Sequence, residues 1–239
     1  DLTQSGLYLR TDDSDPSTQS LDTRQFAKYE EICNKHDIPV YELMGNHESY
    51  YGMPIYDNLA LMETYTGKGV LVAILDTGVN YEHADLADHL WDGGSQYPNH
   101  GYNAYDDNND PMDSRGHGTH CAGTICGDGT SGTKTGIAPD ATLMIVKTLN
   151  DNGNTNANAI VSGMEFAVEH GAEVLSMSLG IGNSSISDRT MLRQTCVNTL
   201  AAGVIASVAA GNDGTYLGDY PIPNNVRVPS SCPAPWIHP

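Results

Sequence analysis

Val70-Leu-Val-Ala-Ile-Leu-Asp-Thr-Gly-Val79 is an unbroken apolar run that ends on a carboxylate and a glycine turn. A short continuous apolar run bounded by turn signals reads as a strand buried on both faces, the kind found in parallel sheets. Downstream of it the pattern alternates. Residues 117 to about 126 and 155–170 read as helices, the second closed by Gly171, and 187–202 reads as a third. Strands are expected at 142–148, 174–177 and 204–209. The stretch 92–116, dense in Asn, Asp and Gly, reads as a long loop. Strands alternating with helices imply an α/β fold, a mostly parallel central sheet covered by helices on both faces. Right-handed crossovers then place the strand C-terminal ends along one edge, where sites in open α/β sheets form. Asp76, Ser178 and Asn212 all fall just past such ends.

The residue types gathered there suit acyl transfer. Taken alone, Asp76 in Asp-Thr-Gly is an ordinary turn aspartate, and His117 could be a packed or solvent-facing imidazole. Together they supply a base to accept a hydroxyl proton and a carboxylate to fix its tautomer. Asn212 in Ala-Ala-Gly-Asn could donate its amide to a developing oxyanion, a contribution of about 3–4 kcal/mol. His117 and His120 lack a third ligand at helical spacing, so zinc is not expected.

Five segments carry a family resemblance. They are Val-Ala-Ile-Leu-Asp76-Thr-Gly-Val, Gly-His117-Gly-Thr-His-Cys-Ala-Gly, Gly136-Ile-Ala-Pro-Asp-Ala, Ser176-Met-Ser-Leu-Gly180 and Ala209-Ala-Gly-Asn212. In this order they resemble the N-terminal two-thirds of a subtilisin-like serine protease (subtilase) domain over residues 67–239. The resemblance implies a three-layer α/β sandwich, incomplete at the C-terminus, and a serine endopeptidase acting through an Asp-His-Ser triad. Asp76 and His117 would be two triad members and Asn212 the oxyanion donor. An extended polypeptide substrate would lie beside Ser178, Leu179 and Gly180, with Ala209, Ala210 and Gly211 lining the primary specificity pocket. The family's nucleophile sits in a Gly-Thr-Ser-Met-Ala-like segment. The one Gly-Thr-Ser here, 129–131, falls in the loop after the His117 helix, so Ser131 is not expected to be the nucleophile. The nucleophile is expected beyond Pro239, and the chain alone is expected to be inactive. A non-catalytic, peptide-binding subtilase-like fragment is the alternative. The family also implies secretion.

Composition narrows the partners. The net charge of −19 argues against nucleic acid, whose phosphates need Lys and Arg. No apolar run approaches the roughly 18 residues of a membrane helix. Cysteines 33, 121, 126, 196 and 232 form no zinc spacing or evident disulfide framework.

The loop Asn103-Ala-Tyr-Asp-Asp-Asn-Asn-Asp110 alternates oxygen-bearing side chains in a way that suits a hard cation. Thermitase-like subtilases bind calcium in the matching loop, and the resemblance assigns Asn103, Asp106, Asn108 and Asp110 as ligands, with a backbone carbonyl from Met112.

Residues 1–66 form a separate N-terminal segment: a polar tail over 1–20, a helix at 22–36 and a strand from Ile38 to Leu43. Gly45-Asn46-His47-Glu48 at the strand end resembles one motif of calcineurin-like metallophosphoesterases, which would make Asn46 a metal ligand and His47 a phosphate contact. The other motifs of that family are missing. A phosphoesterase remnant fused to a partial protease domain is thus a further reading of the whole chain.

Overall fold

A computed structural model describes residues 66–132, 135–182, 184–212, 226–231 and 237–238. The helix and strand expected within 22–43, with Asn46 and His47, lie outside the described residues. The compact unit that holds the described residues begins at Thr66.

Among the described residues six strands form one sheet, in the order β2-β3-β1-β4-β5-β6. They are β1 (Leu71–Asp76), β2 (Gly101–Asn103), β3 (Thr142–Lys147), β4 (Val174–Met177), β5 (Ile205–Val208) and β6 (Ile237–His238). Every pairing between them is parallel. Among the described residues three α-helices accompany them: α1 (His117–Cys126), α2 (Ala157–Glu169) and α3 (Ile186–Ala201). None of the described helices is long and apolar enough to cross a membrane.

The apolar run at 70–75 works on both faces, as its lack of alternation implies. Val72 and Ile74 pack with Leu143, Ile145 and, from α1, Ala122 and Cys126. Ala73 and Leu75 turn the other way, toward Met144 and Val146, Ile160 and Met164 of α2, and Leu192 and Cys196 of α3. One helix on one face and two on the other make three layers. Leu75 is fully buried, and truncating such a residue to Ala costs about 2–5 kcal/mol.

Local chemistry sets the helix ends. Asn156 caps α2 by accepting from the Ala159 N–H at 2.9 Å. Ser185 and Asp188 form a capping box at the start of α3. The stretch 92–116 is not loop throughout, because β2 pairs in parallel with β3 at the sheet edge. Three residues are too few to register as a period, and only Gly101 allows the approach: a Cβ there would fall 1.8 Å from the Ile145 carbonyl oxygen.

Candidate active site

β1 lies in the interior of the sheet, and Asp76 at its C-terminal end is fully buried. One oxygen, Oδ1, accepts from the Thr77 N–H at 2.7 Å and faces Nδ1 of His117 at 2.7 Å. The His117 side chain is half exposed, so this pair joins a buried carboxylate to a ring that reaches solvent. With Nδ1–H donated to the carboxylate, neutral His117 keeps an unprotonated Nε2 on its other side.

The approach of α1 to β1 depends on small residues. A Cβ at Gly118 would fall 2.0 Å from the Gly78 carbonyl oxygen and 3.1 Å from Asp76 Cβ. Gly78 itself sits at φ +96°, and a Cβ there would meet the Pro111 carbonyl at 2.2 Å.

The first turn of α1 is satisfied from outside the helix. Its N-cap, Gly116, offers no side chain. The Gly118 N–H donates instead to Thr77 Oγ1 at 2.9 Å, and the Thr119 N–H donates to Asp113 Oδ2 at 3.0 Å. Asp113 collects more: the Arg115 and Gly116 N–H groups at 2.8 and 2.9 Å, the Thr119 hydroxyl at 2.7 Å, and the Thr77 hydroxyl at 3.0 Å. A carboxylate at a helix N-terminus also complements the helix dipole. Burial pushes the Asp113 carboxyl upward, but these bonds, led by the Thr119 hydroxyl, outweigh it and hold the group below its usual range.

Cys121, four residues on along α1, lies 4.0 Å from His117 Nδ1. Burial raises its thiol pKa, a hydrogen bond from Ser178 opposes that, and Asp76 adds to the rise. Ligand atoms of Asp76, His117 and Cys121 lie within 4.8 Å of one another, the one such His/Cys/carboxylate group among the described residues. Two of the three already bond each other, which favours proton chemistry over metal binding. Cys121 and Cys126 are free thiols.

A cleft of about 250 Å³ opens beside this pair. It is bordered by His117, by Ser178, Leu179 and Gly180 after β4, and by Ala209, Gly211 and Asn212 after β5. The residues anticipated at the strand ends therefore meet in one place, Ala210 excepted from the lining. A larger groove of about 820 Å³ is lined by His120, Gly123 and Thr124 of α1, and by neither Asp76 nor His117. Ser131 is remote from the pair: it follows the other end of α1, and its N–H donates to Asp85.

In the acidic loop the side chains of Asn103, Asn108 and Asp110 bond to the loop itself or to Tyr81. Asn103 Oδ1 accepts the N–H groups of Tyr105 and Asp106 at 3.1 and 3.0 Å. That leaves the amide nitrogen, a donor, facing Asp106 Oδ2 at 3.0 Å and the Asp110 carbonyl at 3.3 Å. Flipping the amide would set N–H against two N–H groups. Asn108 Oδ1 bonds the Asp110 N–H at 2.9 Å, and Asp110 Oδ1 accepts from Tyr81 at 3.2 Å. In this arrangement the nitrogen of the Asn103 amide, and not its oxygen, faces Asp106 and the Asp110 carbonyl.

Three site features escaped the sequence reading. Asp113 could have been found as an acid four residues before a helix-opening histidine. Cys121 shares a helical face with His117 through i,i+4 spacing. Arg227 also lines the cleft, and no local pattern announces it.

A family model described as the subtilase family matches residues 67–236. Subtilisin DY of Bacillus licheniformis is 37% identical over 167 residues, covering 69% of this chain and 56% of the relative. The major intracellular serine protease of Bacillus subtilis (strain 168) is 38% identical over 153 residues, covering 62% and 44%. The crystal structure of a cold adapted subtilisin-like serine proteinase aligns with a TM-score of 0.52 at 30% identity, over 62% of this chain and 49% of that one. The chain thus spans about half the length of these relatives.

Proposed function

This chain belongs to the subtilase family of serine proteases, and from that premise we propose that it carries the acid–base half of a peptide-hydrolysing site. The observation that carries the proposal is the 2.7 Å contact between buried Asp76 Oδ1 and His117 Nδ1 at the mouth of a cleft.

In this reading Asp76 fixes the His117 tautomer and stabilises the imidazolium that forms when Nε2 takes a hydroxyl proton. The proton then passes from Nε2 to the leaving amine. Asn212, exposed at the cleft, donates its amide to the oxyanion of the tetrahedral intermediate. The substrate runs as an extended strand along Ser178–Gly180, its backbone pairing with that edge. Ala209 and Gly211 wall the pocket for the residue whose carbonyl is attacked.

The nucleophile in this proposal is a serine outside these 239 residues. The position of Ser131, bonded through its N–H to Asp85 beyond the far end of α1, supports leaving it out of the chemistry. Secretion is a family expectation that membership does not decide, since one relative is named an intracellular protease.

A fluorophosphonate probe tests the assignment. The 239-residue chain should not be labelled. A longer form that supplies the nucleophile should be labelled at one serine, and His117→Ala should abolish that labelling. Labelling of Ser131, or labelling that persists without His117, would sink the proposal. Peptide binding by a longer form that is never labelled would instead favour the non-catalytic alternative.

A further inference from the structure

We propose that Lys147 is a positioning residue for the Asp76–His117 pair: its buried ammonium ties together the two chain segments on which the acid and the base sit. This rests on the acid–base reading above and adds a residue to the machinery of the same site.

Lys147 closes β3, and its Cα lies opposite that of Asp76 in the parallel pairing with β1. Its side chain is 4% exposed, and a buried ammonium is costly unless bonds offset the lost hydration. A methionine would fill similar space without that cost. What the ammonium makes instead is two bonds. Nζ donates to the Thr77 carbonyl at 2.6 Å and to Asp151 Oδ1 at 2.9 Å.

The first bond acts on the segment that carries the acid. Thr77 directly follows Asp76, and its N–H donates to Oδ1, the oxygen that faces His117. The residues just past β3 already hold the preceding peptide: the Thr148 and Leu149 N–H groups donate to the Asp76 carbonyl at 2.9 and 3.1 Å. Lys147 takes the next carbonyl, so both peptide planes around the Thr77 Cα are tied to the end of β3. With the second plane released, Thr77 can turn, and the hydroxyl that accepts the Gly118 N–H turns with it.

The second bond acts on the segment that carries the base. Asp151 is 69% exposed, so its attraction to Lys147 is screened and modest in itself. Its value lies in where it leads. Hydrogen bonding from Ser114, and after it from Lys147, holds the Asp151 carboxyl below its usual range. The next carbonyl, that of Asn152, accepts from Arg115 Nη1 at 2.9 Å. Ser114 and Arg115 lead directly into Gly116 and His117. Lys147 is not among the residues that line the cleft, so it acts on the pair through Thr77 and Asp151 alone.

The test follows the His117 Nδ1 proton by NMR in the 239-residue chain, with its exchange rate taken relative to the core amide of Leu75 and the Tm measured beside it. In the wild type this proton should be visible at low field, protected by its bond to Asp76. Lys147→Met should speed its exchange about tenfold or more, and Lys147→Arg should recover most of the protection. Asp151→Ala, at an exposed position, should fold normally and speed the exchange about threefold. A Lys147→Met protein with a lowered Tm and wild-type exchange at His117 makes Lys147 structural only and overturns the inference, while the pair stands. Should Lys147→Met fail to fold, wild-type exchange in Asp151→Ala overturns it equally. A wild type with no protected Nδ1 proton overturns the acid–base reading itself.

Discussion

The Thr77 hydroxyl donates to Asp113 Oδ1 at 3.0 Å while its oxygen accepts the Gly118 N–H at 2.9 Å. One side chain thus ties the end of β1, the loop before α1 and the first turn of α1 together. Asp76 and His117 sit on either side of that knot. The 2.7 Å contact between them follows from backbone groups held elsewhere.

Replacing Asp113 by Asn should loosen this junction. An amide nitrogen would face N–H donors that now meet a carboxylate oxygen, so the variant should lose about 1–3 kcal/mol at neutral pH. The folded-state pKa of Asp113 lies below its unfolded value of about 3.9. A depressed carboxyl adds stability above the unfolded pKa, and that stability is lost as pH falls through the folded pKa. Thermal melts between about pH 5 and pH 2 should therefore fall more steeply for the wild type than for Asp113→Asn. Parallel curves would contradict this.

Two glycines of α1 should respond oppositely to alanine. At Gly123 an added Cβ meets nothing within 4 Å, so Gly123→Ala should be neutral or stabilising by up to about 1 kcal/mol through helix propensity. At Gly118 the same atom would meet the Gly78 carbonyl at 2.0 Å, and overpacking should cost about 1–3 kcal/mol. Urea unfolding of the two variants side by side separates propensity from collision. A stabilised Gly118→Ala would refute the packing account.

Alkylation should rank the thiols. Burial raises the Cys121 pKa and, more strongly, pushes that of Cys126 up to about 12. Since the thiolate is the reacting species, iodoacetamide at about pH 8 should modify both more slowly than an unstructured cysteine peptide, with Cys126 slowest. Peptide mapping by mass spectrometry reads each site. Fast modification of Cys126 would count against its burial.

Calcium should distinguish Asn103 from aspartate. With an amide donor facing Asp106 and Asp110, millimolar calcium should leave the wild-type Tm unchanged. Asn103→Asp replaces that donor with an oxygen, and its Tm should rise with calcium as the ligand binds the folded state. A wild-type Tm that climbs with calcium and falls with chelator would restore the ligand set that the family resemblance implies.

What the sequence announces and what it hides divide along physical lines. The interior strand was legible because Val72 to Leu75 are buried on both faces and leave no polar alternation. The meeting of Asp76, His117 and Asn212 in one place was legible because Asp76 and Asn212 follow parallel strands of one sheet and His117 opens the helix between them in sequence. β2 was not, because three residues at an edge carry no period. Arg227 was not, because its place depends on the pairing of Val228 with Ile181, a contact between distant segments. Which atom of the Asn103 amide faces Asp106 was not legible, because composition counts oxygens and does not orient an amide.

The interior position of β1 also bears on how fast the site can be assembled. Lys147 reaches Thr77 across 70 residues, and Leu71 meets Glu173 across 102. Domains dominated by such remote pairings fold slowly, because loop closure must precede the contacts that reward it. β1 leaves the ribosome before both of its neighbours, β3 and β4, and waits for them. The carboxylate made first among the site residues is therefore among the last to acquire its surroundings.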